Sequence, residues 1–198
     1  MKTIALTVLA GACSLISSFA ADVGQPAPAF SGKNLKGETV SLADLKGKVV
    51  VLEWVNFDCP FVKKHYSGGN IPKLQQEAEA KDVVWITVNS SASGKQGHLS
   101  AEDMTARAAK EGHKASQFIL DPEGTIGKAY DAKTTPHLFI INKEGVLVYN
   151  GAIDSKKSTD AADIPNSTPL FANALTAVLE GKTVENAKNE PYGCSVKY

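Results

Sequence analysis

Arginine is nearly missing from this chain: of 21 cationic residues only Arg107 is one, and lysine supplies the rest. Arginine is the preferred fork for phosphate and carboxylate groups, so a site built on several arginines is excluded. The 21 cations are matched by 21 anions. Without a basic surplus there is no face to neutralise a phosphate backbone, and nucleic acid is not an expected partner. Cysteine is scarce, at three residues, too few for a disulfide-built scaffold. Beyond the first twenty residues no apolar run approaches the roughly 20 residues a membrane helix needs, so no membrane span is expected. Internal repeats and low-complexity tracts are also lacking. What is there is ordinary: 198 residues with 43% apolar and 21% charged composition describe one globular domain able to bury a real core.

The first twenty residues read as a leader. Lys2 precedes an apolar stretch from Ile4 to Ala12, and Ser18-Phe19-Ala20 forms a small-x-small exit, the pattern of a secretory signal peptide with cleavage after Ala20 or Ala21. Ala10-Gly11-Ala12-Cys13 offers a rival reading as a lipoprotein processing site, weakened because Leu9 stands four residues before Cys13 instead of three. Removing residues 1–20 takes away Lys2 and Cys13 and leaves 20 cations, 21 anions and two cysteines, Cys59 and Cys194. The expected location is therefore periplasmic or secreted, where disulfides persist. The expected division is a leader at 1–20, a domain at 22–181 and a C-terminal tail at 182–198 carrying Cys194.

Along the mature chain, short strands are expected around Phe30 and Val40, then a helical turn capped by Ser41 and stopped by Gly47. Lys48–Val55 is a nearly continuous apolar run, as in a strand buried on both faces of a parallel sheet. Pro60 suits a first helical position, with Asp58 or Cys59 as cap. An amphipathic helix from Ile71 to Lys81, a strand over Val83–Val88 and a polar loop from Asn89 to Leu99 follow. Ser100 and Asp103 open another helix. Phe118–Leu120 is a short strand, and Gly124–Tyr130 a short helix. Leu138–Asn142 and Val146–Tyr149 form a hairpin. Ser155–Asn166 reads as a flexible polar loop, Thr168–Glu180 as a helix ended by Gly181, and Lys182–Tyr198 shows no strong pattern. Alternating strands and helices indicate an α/β fold whose sheet has parallel members, with the hairpin adding antiparallel strands at one side.

The chemistry concentrates at Cys59. A cysteine just after a buried strand and at the start of a helix sits at the positive end of the peptide dipoles, which favours its thiolate. Lys63 and Lys64, one turn on, are candidates to add positive charge. Arg107 lies on an outer helix and is not expected to reach the site. Trp54 and Trp85 are expected in the core.

Val49-Val50-Val51-Leu52-Glu53-Trp54-Val55-Asn56-Phe57-Asp58-Cys59-Pro60-Phe61 resembles the active-site segment of thioredoxin-fold redoxins, the group of peroxiredoxins and thiol-specific antioxidants. Thr135-Pro136-His137-Leu138-Phe139-Ile140-Ile141-Asn142-Lys143-Glu144-Gly145 resembles that fold's cis-proline segment and hairpin, and Gly24–Gly47 its N-terminal hairpin. A peroxiredoxin-like branch with Cys-Pro-Phe-Val and a C-terminal Gly-Cys-Ser-Val-Lys-Tyr is most similar. The resemblance implies a thioredoxin-like fold: a central mixed β-sheet with helices on both faces and an N-terminal β-hairpin extension. It also implies an oxidoreductase acting through Cys59, with a cis bond before Pro136 and with Asn56, Pro60, Thr135 and Pro136 lining the substrate site. His137 is expected to point away.

The chain departs from its relatives' patterns in telling places. Val62 stands where thioredoxins carry a second cysteine, so a local dithiol cycle is impossible. Asn56 and Leu52 replace the Thr and Pro of the peroxiredoxin motif; the Asn56 amide is then the group to orient a peroxide. Three roles stay open for Cys194: a resolving cysteine, one end of a permanent bridge, or an unpaired thiol. The expected partners are a peroxide or a protein or small-molecule thiol, together with a thiol reductant; no cofactor and no metal are expected. Two other readings compete: a non-catalytic binding module, or a copper carrier using Cys59 and His65, His98, His113 or His137.

Overall fold

Residues Val49, Val51 and Val55 belong to one apolar cluster, whereas Val50, Leu52 and Trp54 belong to another. Side chains alternate across a strand, so this run separates two cores. It is the centre of the fold seen in a computed structural model of the chain, which describes residues 21–198. The segment expected as a leader, residues 1–20 with Cys13, lies outside the described residues.

The strands and helices run β1 (Ser31–Asn34), β2 (Thr39–Ser41), β3 (Val50–Trp54), α1 (Pro60–Ser67), α2 (Asn70–Glu79), β4 (Val84–Asn89), α3 (Ala101–Lys110), β5 (Gln117–Leu120), α4 (Thr125–Ala129), β6 (Thr134–Thr135), β7 (His137–Ile141), β8 (Leu147–Gly151), α5 (Leu170–Leu179) and β9 (Cys194–Ser195). A seven-stranded sheet has the order β2-β1-β5-β4-β3-β7-β8, and β6 pairs with β9 in a small second sheet. β3, β4 and β5 are mutually parallel, whereas β1, β2, β7 and β8 join antiparallel. One face is covered by α1, α2, α3 and α5 through Val62, Tyr66, Ile71, Met104 and Phe171. The other is covered by α4 and the N-terminal segment through Ile126, Tyr130 and Phe30. Trp54 and Trp85 are both fully buried, one on each face. No helix among the described residues is long and apolar enough to cross a membrane.

Local signals hold where they are chemical. Ser41 caps the 3-10 turn Leu42–Leu45 by accepting from Ala43 N, and Ser100 caps α3 by accepting from Asp103 N. Two segments differ from expectation. Residues 155–166, expected as a flexible loop, end in a 3-10 helix (Ala161–Asn166). The patternless tail forms β9. Both are held by one buried polar hub. Lys64 is 2% exposed, and its Nζ donates to Lys156 O at 3.0 Å and lies 3.5 Å from Asp154 Oδ2. Asp154 also accepts from Tyr192 Oη and Lys156 N. His65 Nε2 meets the Tyr192 hydroxyl at 3.1 Å, and its Nδ1 meets Asn70 Nδ2 at 2.9 Å. Burial, outweighing the nearby Asp154, holds His65 near a pKa of about 4 and therefore neutral. A period-based reading cannot see such a hub, because its members are far apart in sequence.

Removing one member of a buried pair strands the other charge. Asp154→Ala is expected to lower the free energy of unfolding by about 3–5 kcal/mol, measured by urea denaturation.

Candidate active site

Cys59 sits at the junction of β3 and α1. Its backbone is extended and serves as the helix N-cap, with Pro60 at the first helical position, where a missing N–H removes nothing from the helix. The side chain is 0% exposed. The preceding loop is fixed by Asn56, whose Oδ1 accepts from Asp58 N at 2.9 Å and whose Nδ2 donates to Gln96 O at 3.2 Å. Both ends of that amide are engaged within the protein. Gly97 has φ +86°, and a Cβ there would fall 2.5 Å from Asn56 Oδ1, so the polar loop after β4 closes directly onto the site.

Charge is placed differently from expectation. Arg107 does reach this loop: its Nη2 lies 3.0 Å from Asp58 Oδ1 and donates to Phe57 O at 2.9 Å, while its Nε bonds Glu111 Oε1 at 2.8 Å. It clamps α3 to the turn before Cys59. The reason is reach: a long side chain at the edge of an outer helix spans to the neighbouring loop. Lys64, expected near the sulfur, turns instead into the buried hub with Asp154, because residues of α1 one turn apart do not all share Cys59's direction. Lys63 is exposed.

The Thr135–Pro136 peptide is cis, and Cys59 Sγ donates to the Thr135 carbonyl at 3.0 Å. Pro136 and Thr135 are buried. Thr135 Oγ1 finds no hydrogen-bond partner among the described residues. His137 turns away from Cys59: Nε2 meets Asn150 Oδ1 at 2.8 Å and Nδ1 accepts from Lys133 N at 3.2 Å.

Cys194 arrives from the tail. β9 runs antiparallel to β6 with Cys194 opposite Thr135, so the residue whose carbonyl binds Cys59 is also the ladder partner of Cys194. Both cysteines are free thiols in this structure. Burial opposes ionisation of Cys59, but it is outweighed by the neighbouring polar groups of Cys194 and by the backbone N–H of Val62 in the first turn of α1, so its pKa lies below the ordinary thiol value. Cys194 is pushed up to about 11 by burial and by the neighbouring Cys59 sulfur. Cys59 is therefore the more acidic of the two thiols.

Between the sheet and its helices lies a residue that pattern reading missed. Glu53 is fully buried on β3. It accepts from Tyr66 Oη, Gln75 Nε2 and Trp85 Nε1 at 2.9, 2.9 and 2.8 Å. Burial raises its pKa to about 7 despite these donors. The signal was present: a lone carboxyl inside an otherwise apolar, doubly buried strand. Among the described residues no group of three His, Cys, Asp or Glu is placed to hold a metal.

Parallel central strands, a cis-proline turn and a cysteine capping the helix that faces it define a thioredoxin-like fold. Residues 22–166 match the Redoxin family model, and the chain belongs to the redoxin family. It is 29% identical over 143 residues to "Thioredoxin-like protein YneN" of Bacillus subtilis, covering 71% of this chain and 79% of that protein. To "Thiol-disulfide oxidoreductase ResA" of the same organism it is 25% identical over 125 residues, or 63% of this chain and 64% of that one. A crystal structure of an uncharacterized conserved protein from Geobacillus kaustophilus superposes with a TM-score of 0.78 at 29% identity, covering 90% of this chain and 93% of that one.

Two outcomes follow. In the reduced protein, alkylation followed residue by residue across pH is expected to give Cys59 a pKa below the free-thiol value of about 8.5 and Cys194 one near 11. For Glu53, the folded pKa of about 7 exceeds the ordinary 4.5. Its contribution to stability is thus complete below pH 4.5 and is lost as pH rises to 7, by about 3 kcal/mol. The difference in unfolding free energy between wild type and Glu53→Gln, measured by urea titration across that window, should show this slope, because contributions of the buried histidines cancel in the difference.

Proposed function

We propose that the protein is a thiol–disulfide oxidoreductase in which Cys59 is the attacking thiolate and Cys194 its resolving partner, working outside the cytoplasm after removal of residues 1–20. The observation that carries this reading is the ladder pairing of Cys194 with Thr135, whose carbonyl is bonded to Cys59 Sγ. It supplies a second thiol from the tail where Val62 offers none in the helix. One relative bears the name of a thiol-disulfide oxidoreductase and another that of a thioredoxin-like protein, which supports the same chemistry. The leader-like composition of residues 1–20 supports export.

The steps balance as follows. The Cys59 thiolate attacks one sulfur of a substrate disulfide, forming a mixed disulfide and expelling the other sulfur as a thiolate that takes a proton from solvent. Cys194 then loses its proton and attacks Cys59 Sγ. The Cys59–Cys194 bond forms, and the second substrate thiolate leaves. The substrate gains two electrons, and an external thiol reductant restores the pair. Two of the causes that raise the Cys194 pKa, the hydrogen bond and the charge of Cys59, vanish once Cys59 is in the mixed disulfide. Cys194 thus becomes more acidic at the step that needs its thiolate. Asn56, Pro60, Thr135 and Pro136 shape the site around this exchange, with Asn56 acting through the loop it holds.

Reduced protein mixed with hydroxyethyl disulfide is expected to yield an intramolecular Cys59–Cys194 disulfide by mass spectrometry. Cys194→Ser should stop at a mixed disulfide on Cys59, and Cys59→Ser should fall to background. A Cys194→Ser protein that traps nothing overturns the reading in favour of a non-catalytic binding module. Formation of the same bond far faster from hydrogen peroxide overturns it in favour of peroxide reduction.

A further inference from the structure

The Cys59 side chain is fully buried, and the protein's own tail passes beside it, with Cys194 opposite the residue that Cys59 bonds. Tyr192 roots that tail in the interior: it bonds Asp154 and His65 and stacks edge-on against Phe61, with ring centroids 5.7 Å apart. Gly193 follows with φ +138°, and a Cβ there would lie 2.0 Å from the Thr135 carbonyl oxygen. Cys194 and Ser195 then pair with Thr135 and Thr134. Beyond them the strand pairing ends, and Val196 is partly buried against the edge of the second apolar cluster. Val196 N donates to Lys133 O at 3.0 Å, and Ala92 N donates to Lys197 O at 2.8 Å. Tyr198 Oη donates to Ala132 O at 2.8 Å. The Tyr198 side chain lies over Gly124 and Gly127 of the α4 region, where an added Cβ would fall 2.5 Å from a ring carbon and from the hydroxyl respectively, and Lys128 Nζ sits 5.6 Å from the ring centroid. Tyr198 is nevertheless 40% exposed.

A deep root, a glycine with a conformation other residues rarely adopt, and a shallow tip together make a hinged element. The tail strand also presents backbone to β6 as an added strand does in peptide recognition by strand addition.

Building on the exchange reading above, we propose that Gly193–Tyr198 is a flap, latched by Tyr198, that fills the substrate position on β6, and that the exchange partner is an extended polypeptide segment that replaces it, with glycine immediately before its reacting cysteine. Glycine is required there because a Cβ would fall 2.0 Å from the Thr135 backbone carbonyl, which the short ladder between β6 and β9 brings against the tail. On opening, Cys194 leaves the site and an incoming cystine sulfur takes its place. On closing, Cys194 returns to attack the mixed disulfide, so one movement serves both admission and resolution.

The test has two arms. In the first, the reduced full chain is alkylated with iodoacetamide at fixed pH and Cys59 labelling is followed by peptide mass spectrometry. Tyr198→Ala is expected to raise the rate about tenfold, the effect of losing one hydrogen bond and a partly buried ring, with the thermal midpoint kept. Gly127→Ala, which pushes the ring outward, is expected to raise it as well. Wild-type rates in both variants overturn the flap. In the second arm, a synthetic Pro-Tyr-Gly-Cys-Ser-Val-Lys-Tyr peptide carried as its thionitrobenzoate mixed disulfide is offered to the wild-type chain beside a version with alanine in place of the glycine. The glycine peptide is expected to react about tenfold faster or more; equal rates overturn the strand-replacement step. The alkylation arm needs no exchange chemistry. Failure to exchange with hydroxyethyl disulfide therefore sinks the enzymatic reading while leaving the flap standing, and unchanged alkylation sinks the flap while leaving exchange with small disulfides standing.

Discussion

One backbone carbonyl, that of Thr135, is the point on which the site depends. It accepts the Cys59 thiol, it lies opposite Cys194 in the small sheet, and it forces glycine at position 193 by its closeness. The peptide that follows it, to Pro136, is cis. Three segments far apart in sequence, the β3–α1 junction, the proline turn and the tail, are brought to one oxygen atom. Cys59 is fully buried where they meet.

The acidity of Cys59 comes from this gathering more than from nearby formal charge. Lys64 is spent on Asp154, and Arg107 on Asp58 and Glu111. Burial alone would hold the thiol protonated. The groups that oppose burial are neutral, with the Cys194 side chain first among them. Cys194 stands beside Cys59, so the acidity of Cys59 is tied to where the tail rests.

The interior beneath the site is unusually polar for a packed core. Glu53 with Tyr66, Gln75 and Trp85 fills the space between sheet and helices. Lys64 with Asp154, Tyr192 and His65 fills the space between α1, the segment after β8 and the tail. Buried ion pairs bring little net stability over apolar packing, but they accept few alternative arrangements. Here the second hub joins the root of the tail to the same helix that Cys59 caps. The register of β9 on β6 is therefore set from inside the protein, not by the strand itself, which is only two residues long.

The sequence by itself determined the order of elements, the doubly buried central strand, the Cys59–Pro60 helix start and the proline turn, because each is written in local chemistry: apolar run length, capping residues, and the fixed dihedral of proline. It also excluded a second thiol in the helix through Val62. Tertiary structure alone decided which partners the ionisable groups found. Glu53 was visible as an oddity in an apolar strand, but its donors come from α1, α2 and β4. Arg107, Lys64 and Cys194 change meaning with where a loop or tail comes to rest. Local pattern encodes what a segment wants to become, whereas hydrogen bonds and charge pairing depend on distances across the fold, and those exist only once the chain has closed on itself.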